Sequence, residues 1–347
     1  MRILVVGLGG IGQRHVRNLR TLLGEALELF AVRTRGQTQV ITETLEIEPG
    51  ANVEARYGIR PVPTLEEGLA LAPDAVLVCN PSSGHLEVAR AAAEAGCALF
   101  IEKPLSHSWK GVDALIELVE RRGLVAAVGF QLRFHPCLQR VRDLLEEGAV
   151  GRVLAARLEV GEYLPGFHRF EDYKRLYAAR RDLGGGVVLS QIHELDYAGW
   201  LFGSPRRVFA VGGHLSSLEI DVEDVASVLM ECPADDGRGI PVHIHLDFVQ
   251  RPGARTCEIV GDEGRIDVDL RALTVTVRRG EEESVESQTF EGFERNRMFL
   301  DEMSHFLSCL AGRAAPLVPI REGARSLRTA LAVLESMATG RAVETHH

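Results

Sequence analysis

Four groups of residues have types and spacings that could do chemistry. The first is Gly7-Leu8-Gly9-Gly10-Ile11-Gly12. In such a loop Gly7 permits a tight turn, Gly9 lets the backbone approach a pyrophosphate, and Gly12 lets helix and strand pack closely. Gly10 and Ile11 open the helical stretch whose free N–H groups would face the phosphates. The loop follows the apolar run Ile3–Val6 and precedes a helix, the context that a dinucleotide loop requires. The second group is Arg33-Thr34-Arg35, at the end of the next apolar run. An NAD site places an acid about 20 residues past the loop, for the ribose hydroxyls. Here arginines stand instead, and their forks suit a 2′-phosphate, so NADP is expected over NAD. Two solvated loop arginines with a relaxed cofactor preference are the alternative.

The third group is Glu102-Lys103-Pro104, directly after the apolar run Ala98–Ile101. Ligands bind beyond the carboxyl ends of strands in parallel sheets. A lysine there could hold a substrate hydroxyl or take part in proton transfer; a surface turn ended by proline is the plain alternative. The fourth is Gly184-Gly185-Gly186 followed by Ser190, His193 and Asp196. Spaced by three, the last residues share a face if one helix carries them all. A histidine there could act as acid or base near neutral pH, or serve structure alone.

Positioning these groups falls to two kinds of element. Up to residue 128, short apolar runs (Ile3–Val6, Leu27–Val32, Ala75–Cys79, Ala98–Ile101, Val125–Phe130) alternate with helical patterns. Thr64 with Glu67 reads as a capping box, and Ser83 as the start of an alanine-rich helix. Buried strands alternating with helices predict a doubly wound parallel α/β sheet. From 129 to 347 the strands are longer and follow one another directly. Val242-His243-Ile244-His245-Leu246 alternates as half-buried antiparallel strands do, and Gly261-Asp262-Glu263-Gly264 reads as a hairpin turn. A second α/β domain with a large, mostly antiparallel open sheet is expected, its final helices free to pack back on either domain.

Composition narrows the classes. The chain has 347 residues, too many for one core, and a net charge of -10. Nucleic acid and anionic membrane are poor partners for such a chain, although a local basic pocket stays possible. The six cysteines include no Cys-x-x-Cys pair, so no metal site is expected. With no signal peptide and no run near the ~20 apolar residues of a membrane span, a cytoplasmic protein is expected.

Taken together, the Gly7–Gly12 loop, Asn80-Pro81 with His85, Glu102-Lys103-Pro104, the Gly184–Gly186 block with His193 and Asp196, the Gly261–Gly264 turn, and the ending around Glu302, His305 and Phe306 resemble the glucose-fructose oxidoreductase / inositol dehydrogenase / rhizopine catabolism (Gfo/Idh/MocA) family. The resemblance implies a Rossmann domain, then an α/β domain, and hydride transfer between a sugar or cyclitol hydroxyl and a nicotinamide. By resemblance Lys103 touches the reacting hydroxyl and the cofactor, the Lys103–Pro104 bond can be cis, and His193 is the catalytic histidine. Asn80, Pro81 and His85 would line the cofactor side, with Glu102 supporting the nicotinamide end. The family often has an aspartate where Ser190 stands, which leaves open how His193 is oriented; Asp196 or Glu194 could substitute.

The loop carrying Tyr163, Tyr173, Tyr177 and Arg180 resembles a subgroup found in surface-sugar pathways, pointing to a sugar or nucleotide sugar. Aromatic faces stack on sugar rings, and Arg180 and Arg181 could meet a carboxylate or phosphate; a packed interdomain loop is the alternative. Gln131 and Arg133, at the domain junction, join the substrate-side candidates. Two rival functions remain at this stage: a glycosidase using NAD for transient oxidation, and a non-catalytic NAD(P)-binding sensor. An apolar face on the open sheet would make the protein a homodimer or homotetramer.

Overall fold

The computed structural model describes residues 1–33, 38–168, 170–234, 237–280 and 284–345. Strands β1 (Arg2–Val6), β2 (Glu28–Val32), β3 (Gln39–Ile41), β4 (Ile47–Asn52), β5 (Ile59–Val62), β6 (Ala75–Val78), β7 (Ala98–Glu102) and β8 (Ala126–Gly129) come first. Six of them form one sheet in the order β5-β2-β1-β6-β7-β8, with every neighbour parallel. The reversal at β1 and β6 is a switch point, where the carboxyl ends of strands leave a crevice for a ligand. The central runs are apolar throughout because helices cover both faces. These helices are α1 (Gly10–Leu23), α2 (Val53–Tyr57), α3 (Leu65–Ala70), α4 (His85–Glu94) and α5 (Val112–Arg121). The Thr64 hydroxyl accepts from Glu67 N–H and caps α3. A 3₁₀ turn at Ser82–Gly84 delays α4 to His85, two residues after the start expected at Ser83.

The β3–β4 hairpin was not foreseen in the sequence. Its position is set by Gln13 of α1, whose amide donates to Gln39 O and accepts from Ile41 N–H. The hairpin thereby stands beside the glycine loop.

After α6 (Pro136–Glu146) comes the second sheet: β9 (Val153–Gly161), β10 (Arg207–Gly213), β11 (Val225–Pro233), β12 (Gly239–Asp247), β13 (Ala254–Gly261), β14 (Gly264–Asp269), β15 (Thr274–Arg279), β16 (Ser284–Thr289) and β17 (Val343–Glu344). Their order is β16-β15-β14-β13-β9-β12-β11-β10-β17, and only the β9–β12 pair is parallel. Helices α7 (Val187–Ser190), α8 (His193–Phe202), α9 (Arg295–Leu310) and α10 (Ile320–Thr339) complete the chain.

The final helices divide their packing. Met303, Phe306 and Leu307 of α9 enter the core of the first sheet with Ile3 and Val5, and Asn296 bonds both Arg14 and Asn18 of α1. In α10, Ser336 accepts from Ala210 N–H of β10, while Val318 just before the helix accepts from Val128 N–H of β8. The C-terminal segment thus ties the two sheets together. Val242, Ile244 and Leu246 of β12 are buried on the face that α7 and α8 cover, so the open face carries His243 and His245 instead of the apolar residues of that alternation. Apolar side chains exposed on that face include Phe209 and Val211 of β10 and Leu229 of β11.

Candidate active site

A cleft of about 650 Å³ runs from the ends of β1 and β6 to the edge of the second sheet. At one end lies the glycine loop. Gly7 has φ +97, a left-handed conformation that favours glycine. A Cβ on Gly12 would stand 2.1 Å from Gly7 O, so α1 can approach β1 only because Gly12 has none. At Gly9 a Cβ would meet nothing within 4 Å; that empty cradle opens onto the cleft. The cradle, the N-terminus of α1 and the buried, unpartnered Asn80 Oδ1 fit a dinucleotide whose pyrophosphate crosses the loop. Arg33 lines this end, with its Nη2 3.1 Å from Glu54 Oε1. Thr34 and Arg35 lie outside the described residues.

Midway stand the residues with reactive groups. Glu102 ends β7 and holds His15 at 2.5 Å; Lys103 follows it, and the Lys103–Pro104 peptide is cis. Lys103 Nζ reaches across to donate to Ser190 O at 2.6 Å. His85, at the first position of α4, sits between Asn80 O (2.7 Å) and Pro104 O (2.8 Å) and so joins the two loops that follow β6 and β7. Burial lowers its pKa against the pull of both carbonyls.

His193 begins α8 and is 4% exposed, with its ring edge-on to Phe130. Its Nε2 is 3.1 Å from Gln131 Nε2. An amide nitrogen only donates, so His193 Nε2 carries a lone pair and Nδ1 the hydrogen. Burial first, then the charges of Lys103, Arg255 and Arg295, hold the His193 pKa well below 6.5. The imidazole is therefore neutral at neutral pH, and its titration falls on the acid side of the near-neutral range expected from its type.

The expected single helix through Ser190, His193 and Asp196 is broken. α7 ends at Ser190, Gln191 turns at φ -100 and ψ 33, and α8 starts afresh at His193. This break frees the Ser190 carbonyl for Lys103 and aims His193 into the cleft. Asp196 and Glu194 do not replace the missing aspartate. Asp196 takes a bidentate pair from Arg133 at 2.8 and 2.9 Å and a bond from Ser326, all buried. Glu194 holds Arg255 at 2.8 Å.

Of the substrate-side candidates, Lys103, Gln131, Tyr163 and His193 line the cleft. Arg133 and Asp196 are instead a buried ion pair linking the domain junction to α8 and α10. Tyr173 accepts Glu219 N–H at its hydroxyl, and the Arg180 and Arg181 side chains bond Asp182 and Asp221, so all three point away from the cleft wall. Sequence reasoning passed over Glu162, His168, Phe170, Arg251, Arg255, Arg271 and Arg295, which do line it. His168 Nε2 would stand 4.0 Å from a Cβ on Gly10, so the loop from the second domain closes over the glycine loop. A basic residue opening a helix with no acid in its first turn, as Arg295 does, was the signal available for that one.

The NAD-binding Rossmann domain model of the Gfo/Idh/MocA oxidoreductase family matches residues 1–130, and the family's C-terminal domain model matches residues 138–267. A scyllo-inositol 2-dehydrogenase (NAD(+)) of Bacillus subtilis is 26% identical over 99% of this chain and 96% of its own. A solved UDP-N-acetylglucosamine 3-dehydrogenase from Acidithiobacillus ferrooxidans superposes with a TM-score of 0.75 at 25% identity, over 97% of each chain. A levoglucosan dehydrogenase solved with NADH and levoglucosan shares the fold, with a TM-score of 0.81 at 19% identity over 100% of each chain. With a glycine cradle at one end of its cleft and Lys103 and His193 at the centre, the chain belongs to the Gfo/Idh/MocA oxidoreductase family and is an NAD-binding enzyme.

Proposed function

We propose that the chain oxidises a hydroxyl of a sugar, cyclitol or nucleotide sugar, or reduces the matching ketone, with Lys103 and His193 as its catalytic residues. The observation that carries this reading is their convergence. Lys103 comes from the first sheet and His193 from the second domain, yet both face one cleft beside the glycine cradle. When bound, the nicotinamide exchanges a hydride with the substrate carbon. In the oxidative direction, the substrate hydroxyl takes the place of the Gln131 amide at the His193 Nε2 lone pair, and Nε2 accepts its proton. The Lys103 ammonium has three donors, and Ser190 O uses one. Two remain to stabilise the negative charge that develops on the substrate oxygen. Gln131 holds the imidazole until substrate arrives, while Glu102, Asn80, Pro81 and His85 frame the nicotinamide end.

An absorbance assay at the nicotinamide band, over inositols, sugars and nucleotide sugars, tests this directly. Turnover of none of them by protein that binds the dinucleotide would remove the proposal.

For the cofactor we infer a preference for NADP, resting on Arg33. A 2′-phosphate would compete with Glu54 for its guanidinium. Fluorescence titration should give tighter NADPH than NADH, and Arg33→Asp should move the preference toward NADH; equal or reversed wild-type affinities refute the inference. For assembly we infer a homodimer or homotetramer joined through the open sheet face around Phe209, Val211 and Leu229. A monomer by light scattering at micromolar concentration would remove it. A reducing, cytoplasmic setting suits the six cysteines, all free and buried. Among the described residues no helix is long and apolar enough to cross a membrane, and no cluster suits a metal ion.

A further inference from the structure

The cleft is also lined by Arg251, Arg255, Arg271 and Arg295, four arginines in a chain whose net charge is -10. Their pairings are unequal. Arg255 is committed to Glu194 at 2.8 Å, and Arg251 lies over the Tyr163 ring, 4.1 Å from its centre. Among the described residues Arg271 and Arg295 form no salt bridge. Glu162 is the acid nearest in this wall, and it offsets only part of the charge.

Geometry makes this costly for the unliganded protein. Arg295 is the first residue of α9, at the positive end of that helix dipole, with no acid in the first turn. It is open to the cleft, yet the dense walls around it push its pKa below the usual guanidinium value, and Arg255 and Arg271 add to that effect. Arg255 and Arg295 also lie close enough to His193 to depress its pKa. Positive charge thus concentrates beside the reacting centre, and among the described residues Glu162 and Glu194 offset only part of it.

We propose that the substrate is anionic, and that Arg271 and Arg295 bind its carboxylate or phosphate near the carbon that reacts. This rests on the oxidoreductase reading of the cleft and names the substrate class within it. Guanidinium forks suit either oxyanion, and Arg251 on the Tyr163 face would border the sugar ring.

The test uses the full chain loaded with NADH and follows nicotinamide fluorescence. The probes are glucuronate, UDP, UDP-N-acetylglucosamine and myo-inositol. Glucuronate binding identifies a carboxylate subsite, and binding of UDP and UDP-N-acetylglucosamine a phosphate subsite. Either should weaken roughly 10- to 100-fold in Arg295→Ala and in Arg271→Ala, the usual loss for a charged hydrogen bond, and Arg295→Lys should recover part of it. Both positions are exposed, so the variants should fold. Binding of myo-inositol alone, binding of no anion, or anion binding unchanged in both alanine variants overturns the proposal. If NADH itself fails to bind, the underlying reading of the cleft falls instead.

Discussion

Replacing His193 with alanine separates the two candidate bases. The side chain is buried and reaches the cleft through Nε2, whose lone pair faces Gln131. A positioned acid–base group contributes typically 10²–10⁴-fold, so His193→Ala should lower turnover by that factor, about 3–5 kcal/mol of barrier. Dinucleotide affinity should hold, because His193 is no part of the glycine cradle that would take the pyrophosphate. The pH profile gives the sharper result. His193 must be neutral to accept a proton, and its pKa lies well below 6.5. In the oxidative direction the wild-type rate should therefore be level through neutrality and fall only on the acid side of 6.5. That acid limb should vanish in His193→Ala, with residual activity independent of pH there. Steady-state kcat/KM from pH 4.5 to 9 on a verified substrate reads it. If the limb survives in His193→Ala and vanishes in Lys103→Met, the lysine is the base and the assignment is reversed. If neither variant loses activity, the site is wrong.

Gly12→Ala should abolish dinucleotide binding, because its Cβ would stand 2.1 Å from the Gly7 carbonyl oxygen, a backbone atom that cannot step aside; NADH fluorescence titration checks it. Asp196→Ala leaves the buried Arg133 without its bidentate partner and should cost about 3–5 kcal/mol, read as a large fall in Tm, whereas a role confined to substrate binding would leave Tm unchanged. Acid should destabilise the fold from pH 6.5 downward. Burial lowers the pKa of His85, His135 and His193, so the unfolded chain binds protons that the folded one refuses, and stability present above 6.5 is lost below it. His135 alone, held at about 4 chiefly by burial, accounts for on the order of 3 kcal/mol by pH 4. Glu302, whose pKa burial raises well above the carboxylate range, works in the opposite sense and softens the slope. Urea midpoints between pH 4.5 and 7.5 that do not fall toward acid would refute this.

The first domain was legible because its signals are local. Ile3–Val6, the glycine loop and Glu102-Lys103-Pro104 each occupy a few consecutive residues, and a parallel sheet buried on both faces writes its strands as unbroken apolar runs. The arginine wall was illegible for the opposite reason. Arg251, Arg255, Arg271 and Arg295 lie in a strand-edge loop, a strand, a turn and a helix start, and only the β9–β13–β14 pairing with α9 beside it brings them together. Arg133 and Asp196 misled because a buried ion pair and a substrate clamp use the same residue types. What distinguishes them is Ser326 of α10, which lies 130 positions away and closes that pair off from the cleft. The break at Gln191 was hidden too, since Val187–Phe202 holds no proline and its one glycine is Gly199, well past the turn.

That break bears on how the centre works without the usual aspartate. A carboxylate at position 190 would neutralise Lys103 and raise the pKa of a neighbouring histidine. Here Lys103 is anchored by a backbone carbonyl, which fixes its direction and leaves its charge whole. The Ser190 hydroxyl itself is buried without a partner. The whole charge of Lys103, together with Arg255 and Arg295, makes His193 a weaker base. The same charge lowers the pKa of a hydroxyl held between Lys103 and His193, so the proton to be moved becomes easier to remove by the same physical cause. The two effects act on donor and acceptor in the same direction, and the difference between them, which sets the proton transfer, is largely preserved. The added positive field therefore costs little in base strength at neutral pH, and it draws an anionic substrate into the cleft, to which a neutral lysine–aspartate pair would be indifferent.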